Sequence, residues 1–246
     1  MTFALEVKNL CKKFGGVAVT NNINLQIESG ERCLIIGPNG AGKTTLFNQI
    51  TGELLPSSGT VEVYGKDVTY LPPQARPHMG LSRTFQIINL FNHETAAHNV
   101  VLALLGVSRQ RFNAFRKLSV TDELYEQALE ILKSVDLSSS ATRKVGEMSY
   151  GEQRRIEIGL AMSQKPKLLL LDEPLAGLSH DERLWIKDLI ASIPRSTTIV
   201  MIEHDMDVAL AFAEKISLLH YGTLIVEGDR DTVVNHPKTK EIYLGH

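Results

Sequence analysis

The chain has 246 residues, 43% of them hydrophobic and 22% charged, with a formal net charge of −2. That suits one large domain or one domain with an insertion, and the charge balance argues against nucleic acid as a partner. Cys11 and Cys33 are the only cysteines, which excludes a disulfide framework, and no apolar run approaches the length of a membrane span. Thr2 to Asn9 is too short and too polar for a secretory signal, so two buried free thiols in a reducing cytosol are expected.

The first elements read as half-buried strands. Phe3 to Val7 alternates, and Ile23, Leu25 and Ile27 alternate again. Between them Lys12-Lys13-Phe14-Gly15-Gly16 reads as a turn that carries an aromatic. Phe14, with Val19 beside it, can stack on a purine; the alternative is an aromatic at the edge of the core.

Arg32 to Ile36 is a short apolar run that suits a buried parallel strand. Gly37-Pro38-Asn39-Gly40-Ala41-Gly42-Lys43-Thr44-Thr45 follows and fits the phosphate-binding pattern Gly-x-x-x-x-Gly-Lys-Ser/Thr. Thr44 to Ile50 then has helical spacing, with Leu46, Phe47 and Ile50 on one side. The glycines therefore fall where a strand must turn into a helix, and they let backbone N–H groups converge. The helix N-terminus adds partial positive charge. Lys43 supplies a full charge toward the β- and γ-phosphates, and the Thr44 hydroxyl can ligate Mg²⁺. An ordinary glycine turn with a solvated lysine is the alternative, and the flanking strand and helix argue against it.

Pro56-Ser57-Ser58-Gly59 is a turn, and Val61 to Tyr64 alternates as a returning strand. Leu81 to Phe85 is predicted as a strand ending at Gln86, whose amide would face a ligand crevice. From Ile87 the character changes. Asn99 to Leu105 is apolar, Arg109 to Lys117 is basic with Phe112 and Phe115 interleaved, and Thr121 to Val135 is amphipathic. This reads as a helical insertion, and its basic stretch reads as a partner surface or a solvated face ahead of a nucleic-acid contact.

Ser149-Tyr150-Gly151-Glu152 opens the next helix with a Ser-x-x-Glu capping box. A serine and a glycine at a helix N-terminus also make a second anion site. Leu168 to Leu171 is a buried strand, followed by Asp172 and Glu173. Asp172 can hold the shell of Mg²⁺, and Glu173, pointing to the other side by strand alternation, can orient a water. Thr198 to Ile202 is a further strand. It ends at Glu203-His204-Asp205, with Asp205 read as the cap of a helix over Met206 to Ala213 and His204 at the strand end within reach of a γ-phosphate.

Taken in order, aromatic turn, phosphate loop, glutamine, Ser-x-Gly, apolar-Asp-Glu and histidine resemble the ATP-binding cassette (ABC) family, over essentially the whole chain. The resemblance implies an α/β fold: a phosphate-loop NTPase (RecA-like) core with an antiparallel β subdomain and an inserted helical subdomain. It implies one domain over 1–246, with 1–86 and 150–246 as catalytic core and 87–149 as the helical part. Gly80-Leu81-Ser82-Arg83-Thr84-Phe85-Gln86, the run Tyr150 to Ile158, Ile202 to Met206 and Tyr243-Leu244-Gly245 resemble the ATPase subunits of branched-chain amino-acid importers. Urea or amide uptake, lipopolysaccharide export, and a soluble cassette acting on ribosome or DNA are the alternatives.

The resemblance implies ATP and Mg²⁺ as cofactors, with Gly37 to Thr45 on the phosphates. Thr44 and Gln86 would ligate the metal directly and Asp172 through water, with Glu173 and His204 catalytic. Ser149, Tyr150, Gly151 and Glu152 would face the ATP of a second ATPase subunit, identical or sister. Transmembrane permease subunits and, indirectly, an external solute-binding protein are the further partners, which places the chain peripherally at the cytoplasmic face of the membrane. Three positions depart from the family pattern: Tyr150 where glycine is usual, Ser179 where aspartate is usual, and His98 where glutamate is common.

Overall fold

The computed structural model describes residues 2–84, 89–107, 123–203 and 212–244. Contacts group them into two units. The first contains Met1–Arg83, Lys167–Glu173 and Ile193–His246, and the second contains Thr84–Pro166 and Pro174–Ser192.

In the first unit, β1 (Phe3–Phe14) and β2 (Val17–Glu28) form a long antiparallel hairpin. Both strands outrun the alternating segments of the sequence. Register shifts between Val7 and Leu10 and between Leu10 and Lys12 break the period of two, while backbone pairing carries the strands on. β4 (Ser58–Val63) and the short β5 (Lys66–Asp67) complete a sheet of order β2-β1-β4-β5.

The second sheet has the order β10-β9-β3-β8-β7-β6. β3 (Arg32–Ile36), β6 (Leu81–Arg83), β7 (Leu168–Asp172), β8 (Thr198–Ile202) and β9 (Lys215–His220) are mutually parallel, and β10 (Thr223–Gly228) returns antiparallel to β9. β3, β7 and β8 are buried at every residue, as strands covered on both faces must be. One apolar core joins the two sheets, with Leu5, Ile23 and Val61 from one and Cys33, Leu170 and Val200 from the other. Leu46, Phe47 and Ile50 of helix α1 (Lys43–Thr51) fill it, as their spacing predicts.

Arg76 closes the far end of α1. Its guanidinium is 1% exposed and donates to Gln49 O at 3.1 Å, to Ile50 O, to Leu71 O at 3.1 Å and to Thr69 O at 3.2 Å. The carbonyls of Gln49 and Ile50 belong to the last helical turn, where intrahelical partners run out and partial negative charge collects. Burial pushes the Arg76 guanidinium down to about 10. Arg76→Met should leave these carbonyls without their shared donor and cost about 3 kcal/mol of stability. Urea unfolding checks this, and a midpoint equal to that of the unsubstituted chain refutes it.

The second unit is helical. α2 (Ala96–Val107), α3 (Glu123–Ser134), α4 (Tyr150–Ser163) and α5 (His180–Ser192) contribute to it. Val100 and Leu104 from α2, Ala128 and Leu132 from α3 and Ile156 from α4 share a core, with Trp185 and Leu189 of α5 packed on it. α4 and α5 group with this unit, whereas the sequence reading begins the returning core at residue 150. The reason is Ile156, whose side chain joins the core of the helical insertion.

Candidate nucleotide site

β3 delivers the chain to the phosphate loop, and α1 leaves it. Two glycines are required by close approach. A Cβ on Gly37 would lie 2.2 Å from the Leu219 carbonyl oxygen, and one on Gly42 would lie 2.6 Å from that of Val19. Gly42, at φ 102°, is the N-cap of α1 and has no side chain to cap the helix. The N-terminal amides of α1 are therefore left for an anion. Gly222 N–H donates to Ala41 O at 2.9 Å and supports the loop from behind.

The Lys43 side chain lies along this loop. Its Nζ donates to Gly37 O at 2.5 Å and to Pro38 O at 3.1 Å, and the residue is 5% exposed. Burial pulls the ammonium below its ordinary value, while the charges of Glu173 and then Asp172 oppose that shift. The loop lysine and both carboxylates thus share one electrostatic neighbourhood. Thr44 is exposed, Thr45 half-buried, and Asn39 and Gly40 are exposed.

Asp172 ends β7 fully buried, and its Oδ2 accepts from Arg83 Nη2 at 2.6 Å. Glu173 lies beyond the strand in a left-handed conformation, φ 47°, with its N–H donating to Ile202 O at 3.0 Å. Its direction is therefore set by that turn, where the sequence reading relied on strand alternation. Left-handed backbone costs a non-glycine residue of order 1 kcal/mol, and such strain concentrates at functional positions.

Phe14 is 49% exposed at the end of β1. Lys12 Nζ sits 5.2 Å from its ring centroid. Val19 is half-buried on β2. Gln86, His204 and the expected helix cap at Asp205 lie outside the described residues.

Among the described residues no group of three or more His, Cys, Asp or Glu gathers to hold a metal. The Thr44 hydroxyl and the Asp172 carboxylate are hard oxygen donors, too few for a cage of protein ligands. That set fits Mg²⁺, which keeps waters and takes phosphate oxygens alongside one or two protein groups. A cavity of about 420 Å³ also borders the loop, lined by Pro38 to Ala41, His220, Tyr221, Glu241 and Ile242. Lys43, Thr44 and Glu173 do not line it. Nearby, burial pushes the Tyr243 phenol up to about 12, against the effect of a backbone hydrogen bond at Gly37.

In the helical unit the capping box of α4 is complete. Ser149 Oγ accepts from Glu152 N at 3.2 Å, and Glu152 Oε2 accepts from Ser149 N at 2.8 Å. Ser149 and Tyr150 are exposed. The Tyr150 ring runs beside Gly177, where a Cβ would lie 3.4 Å from it. A second capping arrangement went unread in the sequence, although Ser179-x-x-Glu182 repeats the same signal. Ser179 N and Oγ donate to Glu182 Oε2 at 3.0 and 2.9 Å and hold that carboxyl below its ordinary range. Glu182 also leaves no room beside Gly151, where a Cβ would meet its Oε1 at 2.2 Å. Ser179, in the place of the usual aspartate, is thus part of a helix cap. His98, the third departure, pairs with Glu94 at 2.9 Å on the exposed side of α2.

A mostly parallel sheet, a glycine-walled loop at a helix N-terminus and an acidic pair at the end of β7, two strands from β3, define a phosphate-loop nucleotide hydrolase. The ABC transporter family matches residues 20–176. BraF of Pseudomonas aeruginosa, a high-affinity branched-chain amino acid transport ATP-binding protein, is 36% identical over 252 residues, covering 98% of this chain and 97% of the relative. The ADP conformation of MJ1267, an ATP-binding cassette of an ABC transporter, superposes with a TM-score of 0.88 at 32% identity, with full coverage of both chains. A dimeric post-hydrolysis state of the cassette MJ0796, bound to ADP and Pi, matches with a TM-score of 0.78 at 30% identity, covering 92% of this chain and 98% of that one. The chain belongs to the ABC transporter family and is one of its ATPases.

Proposed function

We propose that this ATPase powers the uptake of branched-chain amino acids through a membrane permease. The observation that carries the substrate class is the 36% identity to BraF across nearly the whole of both chains. Among the described residues no helix is long and apolar enough to cross a membrane. The chain works at the cytoplasmic face, as one of two cassettes, and an external binding protein supplies the solute. The dimeric state of MJ0796 supports the pairing.

Each residue has a part in the hydrolysis. Phe14 and Val19 support the adenine. Gly37, Pro38 and Asn39 shape the loop, and the amides from Gly40 to Thr45 hold the phosphates, with Ala41 and Gly42 at the turn into α1. Lys43 neutralises the β- and γ-phosphoryl oxygens. Mg²⁺, when bound, supplies further neutralisation of phosphate charge, held by Thr44, Gln86 and, through water, Asp172. Glu173 accepts a proton from the attacking water, and His204 contacts the γ-phosphate. Ser149, Tyr150, Gly151 and Glu152 face the nucleotide held by the second cassette. Catalysis of this kind is mainly positioning and charge stabilisation.

Uptake of radiolabelled leucine by cells deleted for this chain tests the transport reading. Uptake should fall to background and return with the intact chain but not with Glu173→Gln. Unchanged uptake in the deletion strain refutes it.

A further inference from the structure

We propose that Arg83 is a positioning residue for the divalent cation, fixing the Asp172 carboxylate to the helix that carries Lys43 and Thr44. The inference rests on the reading of Asp172 as a residue of the cation shell. Arg83 ends β6, directly beside β7, and its side chain is 6% exposed against 0% for Asp172. One edge of its guanidinium is spent on the carboxylate, Nη2 to Oδ2 at 2.6 Å. Nη1 points to α1 and the segment after it, donating to Asn48 Oδ1 at 2.6 Å, Thr51 Oγ1 at 3.4 Å and Glu53 Oε2 at 3.1 Å. The guanidinium carbon also lies 5.6 Å from the ring centroid of Phe47 in the same helix.

Three consequences follow from this geometry. A carboxylate wholly withdrawn from water needs a partner of opposite charge, and Arg83 supplies it. The planar fork serves two elements at once, which a lysine ammonium does not reproduce. Thr44 and Asp172, which stand on different elements, are thereby held in one frame through Asn48 and Arg83. Residues behind a metal-binding group tune cation affinity by about 10- to 100-fold when removed. The amide contacts of the phosphate loop do not pass through Arg83, so nucleotide binding without the cation should be insensitive to it.

The test is equilibrium binding of a non-hydrolysable ATP analogue, titrated with Mg²⁺ and repeated in EDTA, for Arg83→Met, Arg83→Lys, Asp172→Asn and the Arg83→Met/Asp172→Asn double variant. Arg83→Met should raise the Mg²⁺ concentration for half-maximal effect about tenfold and leave binding in EDTA unchanged. Arg83→Lys should shift it less, and it carries the test if the methionine variant does not fold. On the Asp172→Asn background Arg83→Met should add little, because the two act through one carboxylate. A shifted titration for Asp172→Asn beside an unshifted one for Arg83→Met, or two fully additive shifts, overturns the role of Arg83. Unshifted titrations for both single variants remove Asp172 from the cation shell, and the inference falls with it.

Discussion

Glu173→Gln should retain ATP and lose steady-state hydrolysis by about 10²-fold or more. The substitution keeps the size of the side chain and replaces a proton-accepting oxygen with an amide nitrogen. Its backbone turn is held independently by the N–H bond to Ile202 O, so the loop need not move. The charge of the carboxylate raises the proton affinity of Lys43, so the two side chains share one electrostatic neighbourhood. Removing its charge lowers repulsion toward a bound phosphate, so affinity should hold or rise. Phosphate release and equilibrium nucleotide binding, measured on the same preparation, decide the matter. Normal turnover would take the general base away from Glu173.

Lys43→Ala should weaken nucleotide binding by roughly 10²-fold, the loss of about 3 kcal/mol of charge-assisted hydrogen bonding to phosphate. The Nζ rests on the carbonyls of Gly37 and Pro38, a short reach from the amides that face the anion. Burial pulls its proton affinity down, while the charges of Glu173 and then Asp172 oppose that. A triphosphate adds negative charge beside it, so the ammonium gains from the ligand what burial takes away. Isothermal titration with ATP measures the effect. Affinity and turnover both equal to those of the intact chain would remove the phosphate-loop assignment.

The two carboxylates at the end of β7 illustrate what local pattern conveys. Four leucines followed by Asp-Glu announce a buried strand with acids at its end, because burial on both faces demands an unbroken apolar run. The direction of Glu173 was not legible, because a left-handed turn overrides the alternation that a strand would impose. The ion pair between Arg83 and Asp172 was equally hidden. Arg83 stood in a recognisable run, yet nothing in its neighbours shows that its partner lies 89 positions on. Arg76 is similar, a charged residue in a proline-flanked segment that proves to cap a helix ending at Thr51.

The hairpin of β1 and β2 failed in the other direction. Alternation stopped near Val7, while the strand continued to Phe14, because register shifts change which face each residue meets. Local pattern therefore places Phe14 in a turn, whereas pairing makes it the last residue of β1. The cap at Ser179 has its own local signal, Ser-x-x-Glu, and both of its hydrogen bonds to Glu182 are made.

The order of residues alone determined the phosphate loop, the strand that feeds it, the helix cap at Ser149 and the family to which they belong. These depend on spacing within a single turn or strand, where covalent geometry limits the choices. Only the tertiary structure decided that Arg83 holds Asp172, that Arg76 closes α1, that Glu173 departs from its strand and that α4 packs with the helical unit. Each of those rests on groups distant in the chain competing for the same buried space, and such a contest has no trace in local periodicity.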